Sequence, residues 1–386
     1  MLNAKTGNST AKDAANAGRE AASMVKDGNP KMAFVYSGVQ YNQKELIHAI
    51  KETLPGVPLI GNTSFTGVIT PDGFIGGNDG FVGIMALGDD AMTVGVAGMP
   101  KHNDARTTGR AVAKAALKKA GKTTPPDYFY MSAPPGEEET YLKGIEDIIG
   151  RVPFFGGSAA DNAIAGEWLL YTDEMITPDG VSVAFFYTDK AFANKFTGAY
   201  HETENVGVIT KLNGPRTLVE IDGVPAVKKF AQWTGQAEDK LMFGNLLVTC
   251  ITQPLGVKDR LGDLVAVRHP MNGNNDYSMA VGNNMAVGTA VIQLEATIDE
   301  LIQSVGNTLE VLKAKIDGPI GALHLVHCGG RRAGIDARIN EVAEQIQTHV
   351  GDIPFITEFT FGEYGYEEDG INTCGGLMLS FTAFGK

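Results

Sequence analysis

Short apolar runs, each followed by a polar turn containing Gly and then by an amphipathic stretch, recur along the chain in a fixed order. The first copy opens on KMAFVYSG (31–38), crosses a stretch with Leu46, Ile47, Ile50 and Leu54 at helical spacing, and reaches PLIGNTSFTG (58–67). It closes on TPDG (70–73) and GFVGIMAL (80–87). The second runs from DYFYMSAPPG (127–136) through a helix to VPFFGGSAADN (152–162), then to TPDG (177–180) and VSVAFFYT. The third runs from GALHLVHCGG (321–330) through a helix to IPFITEFTFGEYG (353–365), then to Glu368, Asp369, Gly370 and GLMLSFTAF. Each copy predicts strand, turn, helix, strand, Gly-rich turn, strand, so the chain reads as three pseudo-repeated units.

A strand joined through a helix to a second strand of the same sheet pairs with it in parallel, with a right-handed crossover. Ligands of such sheets collect beyond the carboxyl ends of the strands. The turns at Ser37 and Gly38, at 62–66, at 156–162 and at 363–366 fall there. Gly in these turns permits positive φ or close backbone approach. Ser, Thr, Asn and Asp beside it either bind a ligand or complete the turn.

Between the copies the pattern predicts further elements. Residues 9–26 form an Ala-rich helix capped by Ser9 or Thr10. MTVGVAGM (92–99) alternates as a strand, and a helix follows from Asn103 or Asp104. After Thr188 the texture turns to short β-rich runs separated by NG, DG and GP, with a hairpin tip at Asp222 and Gly223 and a helix over 225–233. Strands over 263–270 and 278–295 and an amphipathic helix over 297–315 lead into the third copy. The expected class is α/β, with mixed, partly parallel sheets built from three strand-helix-strand-strand units and two intertwined domains.

Composition narrows the function. The 386 residues carry a formal charge of -13, which disfavours nucleic acid and anionic membrane surfaces, since both want a basic face. No apolar run approaches the roughly 20 residues that span a bilayer, and the start lacks the apolar core of a leader. Three cysteines give no disulfide framework, and the expected location is the cytoplasm.

Candidate chemistry is sparse. His324, His327 and Cys328 lie on one strand, where His327 faces away from the other two, so metal binding competes with a buried His and a free Cys. Cys328 as a nucleophile would need a base within reach and an oxyanion hole, and the Gly329 to Gly330 turn offers backbone N–H groups. Arg268, Arg331 and Arg332 suit carboxylate recognition, Arg331 and Arg332 falling in the turn after the strand; pairing with Glu363 or Asp369 is the structural alternative. Asp161, Asn162 and Trp168 could line a pocket, Trp168 equally serving as core cover. No dinucleotide or Walker-type phosphate loop is present.

The ordered set YSGVQYN, PLIGNTSFTG, GFVGIMAL, VPFFGGSAADN, LVEIDGVPA, QPLG, RHP and FTFGEYG resembles the FIST family, read as F-box and intracellular signal transduction. The resemblance implies a FIST N-type domain over 31–225 and a FIST C-type domain over 226–386, after an N-terminal helix over 1–30. It implies a cytoplasmic sensor of small molecules such as amino acids. Fused output modules, common in such sensors, have no room here, so a separate signalling protein is the expected partner. Some family members are similar to haem-binding nitric oxide sensors; otherwise no cofactor is expected. The family places a His before the last strand where this chain offers Asn372 and Cys374, which leaves His269 as the candidate axial ligand. The expected protein binds an amino acid or small organic acid without catalysing a reaction, the alternatives being a haem sensor or an enzyme using Cys328. The expected ligand site is Gly156, Gly157, Asp161, Asn162, Arg268, Glu363 and Tyr364. Arg268 would hold a carboxylate, Glu363 or Asp161 an amino group, and the Gly turns would supply N–H groups.

Overall fold

Each of the three repeats begins one strand and one helix earlier than its apolar signature shows. The computed structural model describes residues 1–258, 264–368 and 370–386. Asp263, the expected start of a strand, and Asp369 of the last closing turn lie outside them. The first repeat consists of β1 (Asn3–Ser9), α1 (Ala14–Val25), β2 (Met32–Ser37), α2 (Gln43–Thr53), β3 (Leu59–Thr63), the hairpin β4 (Val68–Thr70) and β5 (Gly73–Ile75), and β6 (Val82–Gly88). The second consists of β7 (Thr93–Pro100), α3 (Ala105–Ala120), β8 (Tyr128–Ala133), α4 (Glu138–Ile149), β9 (Phe154–Ser158), the hairpin β10 (Leu170–Thr172) and β11 (Ile176–Thr177), and β12 (Gly180–Tyr187).

The third repeat opens with β13 (Phe192–Thr197) and is then interrupted. The insertion holds β14 (His201–Leu212), β15 (Thr217–Ile221), β16 (Val224–Pro225), α5 (Ala226–Thr234), α6 (Asn245–Thr249), β17 (Leu255–Lys258), β18 (Val265–Arg268), β19 (Pro270–Gly273), β20 (Met279–Val281) and β21 (Ala290–Glu295). These strands make one eight-stranded sheet. The repeat resumes with α7 (Ile298–Ala314), β22 (Ile320–Cys328), α8 (Gly329–Ile335), α9 (Ile339–Val350), β23 (Phe355–Thr360), the hairpin β24 (Glu363–Tyr366) and β25 (Asn372–Gly375), and β26 (Leu379–Gly385).

The mixed α/β class follows directly from the pairing. Three six-stranded sheets share one plan, in the orders β1-β6-β2-β3-β10-β11, β7-β12-β8-β9-β24-β25 and β13-β26-β22-β23-β4-β5. The central pairs β2–β3, β8–β9 and β22–β23 are parallel, as near-continuous apolar runs covered on both faces require. Each sheet borrows its last two strands from another repeat: the first takes the second's hairpin, the second takes the third's, and the third takes the first's. The repeats are thereby interlocked in a ring.

Register shows where the ring closes. The parallel ladders begin at Ala33 with Leu59, Phe129 with Phe154 and Leu323 with Phe355. The next residue of each first strand is Phe34, Tyr130 or His324, and these three rings meet with centroids 5.2, 4.7 and 5.5 Å apart. Around them lies a fully buried polar network. Asn62 Nδ2 donates to Glu358 Oε2 at 2.9 Å, to Tyr130 Oη at 3.1 Å and to Ser132 Oγ at 3.1 Å, while Tyr130 donates to Glu358 Oε1 at 3.2 Å. Tyr36 Oη and His324 Nε2 lie 2.5 Å apart. All three repeats contribute, so the network ties the ring at its axis.

Several local expectations are corrected. The stretch NAKTGNS is the edge strand β1, set antiparallel on β6, because Gly7 lets α1 come close; a Cβ there would lie 2.3 Å from the Ala21 carbonyl oxygen. The cap of α1 is Asp13, accepting from Asn16 N–H at 2.8 Å, since Ser9 ends the strand. The expected turn over 363–366 is strand β24, and Gly156 and Gly157 belong to β9, because these two strands pair with each other. The expected strand over 278–295 is two strands separated by a Gly- and Asn-containing turn. Arg331 and Arg332 sit in helix α8. The tip at Asp222 and Gly223 forms as expected, with φ of 51° and 75°. Thr297 and Glu300 cap α7 reciprocally.

Candidate ligand-binding site

A cavity of about 350 Å³ lies where the strand ends of the ring face the inserted sheet. Phe65 comes from the turn after β3, Pro135 and Gly136 from the turn after β8, Ile164 and Trp168 from the loop after β9, and Phe361 from the turn after β23. Cys328, Gly329 and Gly330 form the junction of β22 with α8. The opposite wall is Leu247, Val248, Ile251, Met271 and Val281, with Arg216, His269 and Asn283 from the same sheet region. The cavity therefore occupies the carboxyl end of the parallel strands, where sheets of this kind collect ligands. Its volume sits in the range of small-molecule pockets, roughly 300–1,000 Å³.

Most of its surface is apolar. Phe361 packs against Phe65 at 5.6 Å and edge-on against Trp168 at 6.3 Å, giving one wall an aromatic face. Ile164, Val248 and Met271 stay exposed at the rim.

The polar end is held by ion pairs. Arg216 Nη2 lies 3.0 Å from Glu138 Oε2 and 2.5 Å from Glu139 Oε2, its Nη1 donates to the Gly282 carbonyl at 2.7 Å, and its Nε donates to Asn284 Oδ1 at 3.0 Å. Burial and the neighbouring Glu139 raise the Glu138 carboxyl to about 7, against the pull of Arg216. Asn283 is buried, and its Nδ2 donates to Glu138 Oε1 and Glu139 Oε1 at 3.4 Å each. Its Oδ1 has no partner among the described residues.

His269 is buried and neutral: loss of solvent pushes it down to about 4, and its Nε2–H donates to the Leu247 carbonyl at 2.8 Å. That fixes the tautomer and leaves Nδ1 as an acceptor. Cys328 Sγ accepts from Gly330 N–H and Leu377 N–H, each at 3.2 Å. Behind it, Glu363 accepts from Met378 N–H at 2.8 Å and Thr360 Oγ at 2.9 Å, and burial lifts its carboxyl to about 8. His327 turns away, donating Nδ1–H to the Cys328 carbonyl at 3.0 Å and packing on Phe359.

The seven sequence-chosen residues surround this cavity without lining it. Gly157 pairs with Glu363 and Gly156 with Tyr364, so four of them meet in one ladder. Tyr364 Oη and Ser158 Oγ lie 2.7 Å apart. Asp161 accepts from the N–H groups of Ala163, Ala165, Gly166 and Glu167, organising the loop that delivers Ile164 and Trp168. Asn162 accepts from Thr66 N–H at 2.9 Å, holding that loop to the first repeat. Arg268 is buried, with Nη1 donating to the carbonyls of Val267 and Cys374 at 3.2 Å each. Arg331 donates to Gly198 O, Leu301 O and Ser304 Oγ, clamping α8 to α7 and to the end of β13. Sequence reasoning missed Arg216 and Asn283, which lie in unremarkable turns of the insertion.

A FIST N domain model matches residues 31–224, and a FIST C domain model matches 226–366. The chain belongs to the FIST family. FIST domains are small-ligand-binding sensory domains of signal transduction. The F-box part of the expansion is mistaken, since the matched models are FIST N and FIST C. No curated protein matches the sequence. Among solved structures, the cyanuric acid hydrolase of A. caulinodans aligns over 100% of both chains at 10% identity with a TM-score of 0.37. PurLQS of Thermotoga maritima aligns over 100% of this chain and 72% of its own at 9% identity, with a TM-score of 0.24. Neither likeness is close enough to bear on the fold or activity of this FIST protein. Among the described residues, no helix is long and apolar enough to cross a membrane, and no group of three or more His, Cys, Asp or Glu is placed to hold a metal.

Proposed function

We propose that this FIST protein senses a small, largely apolar molecule enclosed in the junction cavity, and that a separate signalling protein reads the bound state. The observation that carries the reading is the composition of the cavity wall. All three repeats and the inserted sheet contribute residues to it, so an occupant biases how those parts sit against one another. An amino acid or small organic acid, the class expected from the sequence, would present its carboxylate to Arg216 rather than to Arg268. Arg216 already faces two glutamates, so the geometry favours a ligand with an apolar body and a small polar head.

The alternatives receive less support. His269 could offer haem one axial nitrogen, but the remaining residues suit it poorly: Arg216, the one cation lining the cavity among the described residues, is committed, and about 350 Å³ is small for a macrocycle. Catalysis through Cys328 would need a thiolate, whereas burial holds this thiol well above its usual range, and His327 lies on the other face of the strand.

The test is a thermal-shift screen of amino acids, organic acids and uncharged aromatic compounds against wild type and Ala333→Trp, a variant at an exposed lining position. At a hundredfold excess over Kd a ligand stabilises the folded state by about 2.7 kcal/mol. The expected result is a shift in wild type that the filled variant loses. A ligand that shifts both equally binds elsewhere and sinks the reading.

A further inference from the structure

The polar head of the ligand can be narrowed from one side chain, an inference that rests on the cavity reading above. Asn283 is 1% exposed, and its amide is oriented by chemistry: Nδ2 faces Glu138 Oε1 and Glu139 Oε1, which an amide oxygen would not do. Oδ1 is therefore turned the other way. It lies 3.6 Å from where a Cβ on Gly376 would stand, and Gly376 and Asn283 both line the cavity. No group among the described residues donates to it. A buried acceptor without a donor is costly, so a ligand that brings an N–H or O–H to this point gains and one that brings a lone pair loses.

The remaining polar groups argue against a charged head. Arg216 is balanced by Glu138 and Glu139, and His269 is tied to the Leu247 carbonyl. The Cys328 sulfur already receives two amides. A carboxylate would meet the two glutamates, and an ammonium would meet the guanidinium. The same cavity is lined by Phe65, Trp168 and Phe361, whose faces and edges suit a flat ring.

We propose that the cavity selects an uncharged aromatic molecule carrying one N–H or O–H donor, with the donor on Asn283 Oδ1 and the ring against the aromatic wall. Indole and 1-methylindole are the probes, because they differ in that single donor; tryptophan adds the charged head. Calorimetric titration of the whole chain should give indole an affinity roughly tenfold or more above that of 1-methylindole, the penalty for leaving a buried acceptor unpaired. Tryptophan should bind more weakly than indole. Asn283→Leu, which keeps the branching of the side chain and removes the acceptor, should abolish the indole preference. The wild-type ratio decides alone if that variant fails to fold.

Equal binding of indole and 1-methylindole overturns the proposal, as does tighter binding of tryptophan or an absence of indole binding. In each case the cavity reading still stands or falls by the screen with Ala333→Trp. Indole binding that survives Ala333→Trp unchanged overturns both.

Discussion

Replacing Glu358 by Gln isolates the carboxyl at the centre of the ring. Glu358 is fully buried and accepts from Asn62 and Tyr130, yet loss of solvent outweighs these hydrogen bonds and lifts it from an ordinary 4.5 to about 7. A carboxyl raised on folding holds its proton longer in the folded chain than in the unfolded one. Its contribution to stability is fully present below 4.5 and is lost as pH rises through 7. Between pH 5 and pH 8 this group alone should cost wild type roughly 2.5 kcal/mol, taking about 1.4 kcal/mol per pKa unit. Gln has no proton to lose and is spared that cost. The assay is urea unfolding of both proteins, followed by circular dichroism at pH 5, 6, 7 and 8. Taking the difference between them cancels the shared titrations of Glu138, Glu363 and the buried histidines. The stability of Glu358→Gln relative to wild type should rise by about 2–3 kcal/mol across the range. Parallel curves would show that Glu358 is ionised throughout and that the account of the network is wrong.

Gly156 has φ of 136°, and a Cβ there would lie 2.0 Å from the Met131 carbonyl oxygen. Gly156→Ala should therefore lose about 3 kcal/mol or more in denaturant unfolding, and a loss under 1 kcal/mol would mean that β8 and β9 are less closely set. Asp161→Ala removes the acceptor of four loop N–H groups and should make residues 161–168 the first site of limited proteolysis, at a cost of about 2 kcal/mol. Unchanged cleavage would deny Asp161 that role. All three cysteines are free and buried, and burial pushes each thiol well above its usual range. An alkylating reagent at pH 8 should accordingly label none of them within minutes in the native protein and all three in denaturant; rapid native labelling of Cys328 would reopen a nucleophilic role.

The triplicated plan was legible because parallel strands covered on both faces read as unbroken apolar runs, as in Phe34 to Tyr36 and Phe129 to Met131. Two features were not. Strand β1 is an edge strand of small and polar residues whose place depends on β6, 73 positions away by the pairing of Ser9 with Val82. The circular exchange of hairpins leaves no local trace, so Glu363 and Tyr364 read as a turn although they pair with Gly157 and Gly156 of another repeat. The site was half legible for the same reason. Trp168, His269 and Cys328 drew notice as chemically rich residues in the right loops, and all three line the cavity. Asp161 and Arg268 drew notice too, but Asp161 is spent on the N–H groups of its own loop, and Arg268 directs Nη1 to the Val267 and Cys374 carbonyls and lies outside the cavity lining. Arg216 and Asn283 reach the cavity through the packing of the insertion on the ring, which no spacing in the sequence encodes.

Fluorescence of Trp168 tests the central claim most directly. The chain has two tryptophans, and Trp233 lies outside the cavity lining, so Trp233→Phe leaves Trp168 as a single reporter inside it. Titration of that variant with a ligand found in the screen should change the Trp168 emission, with the same Kd that calorimetry gives. Saturable heat of binding with no change in Trp168 emission would contradict the account, because the ligand would then sit outside the junction.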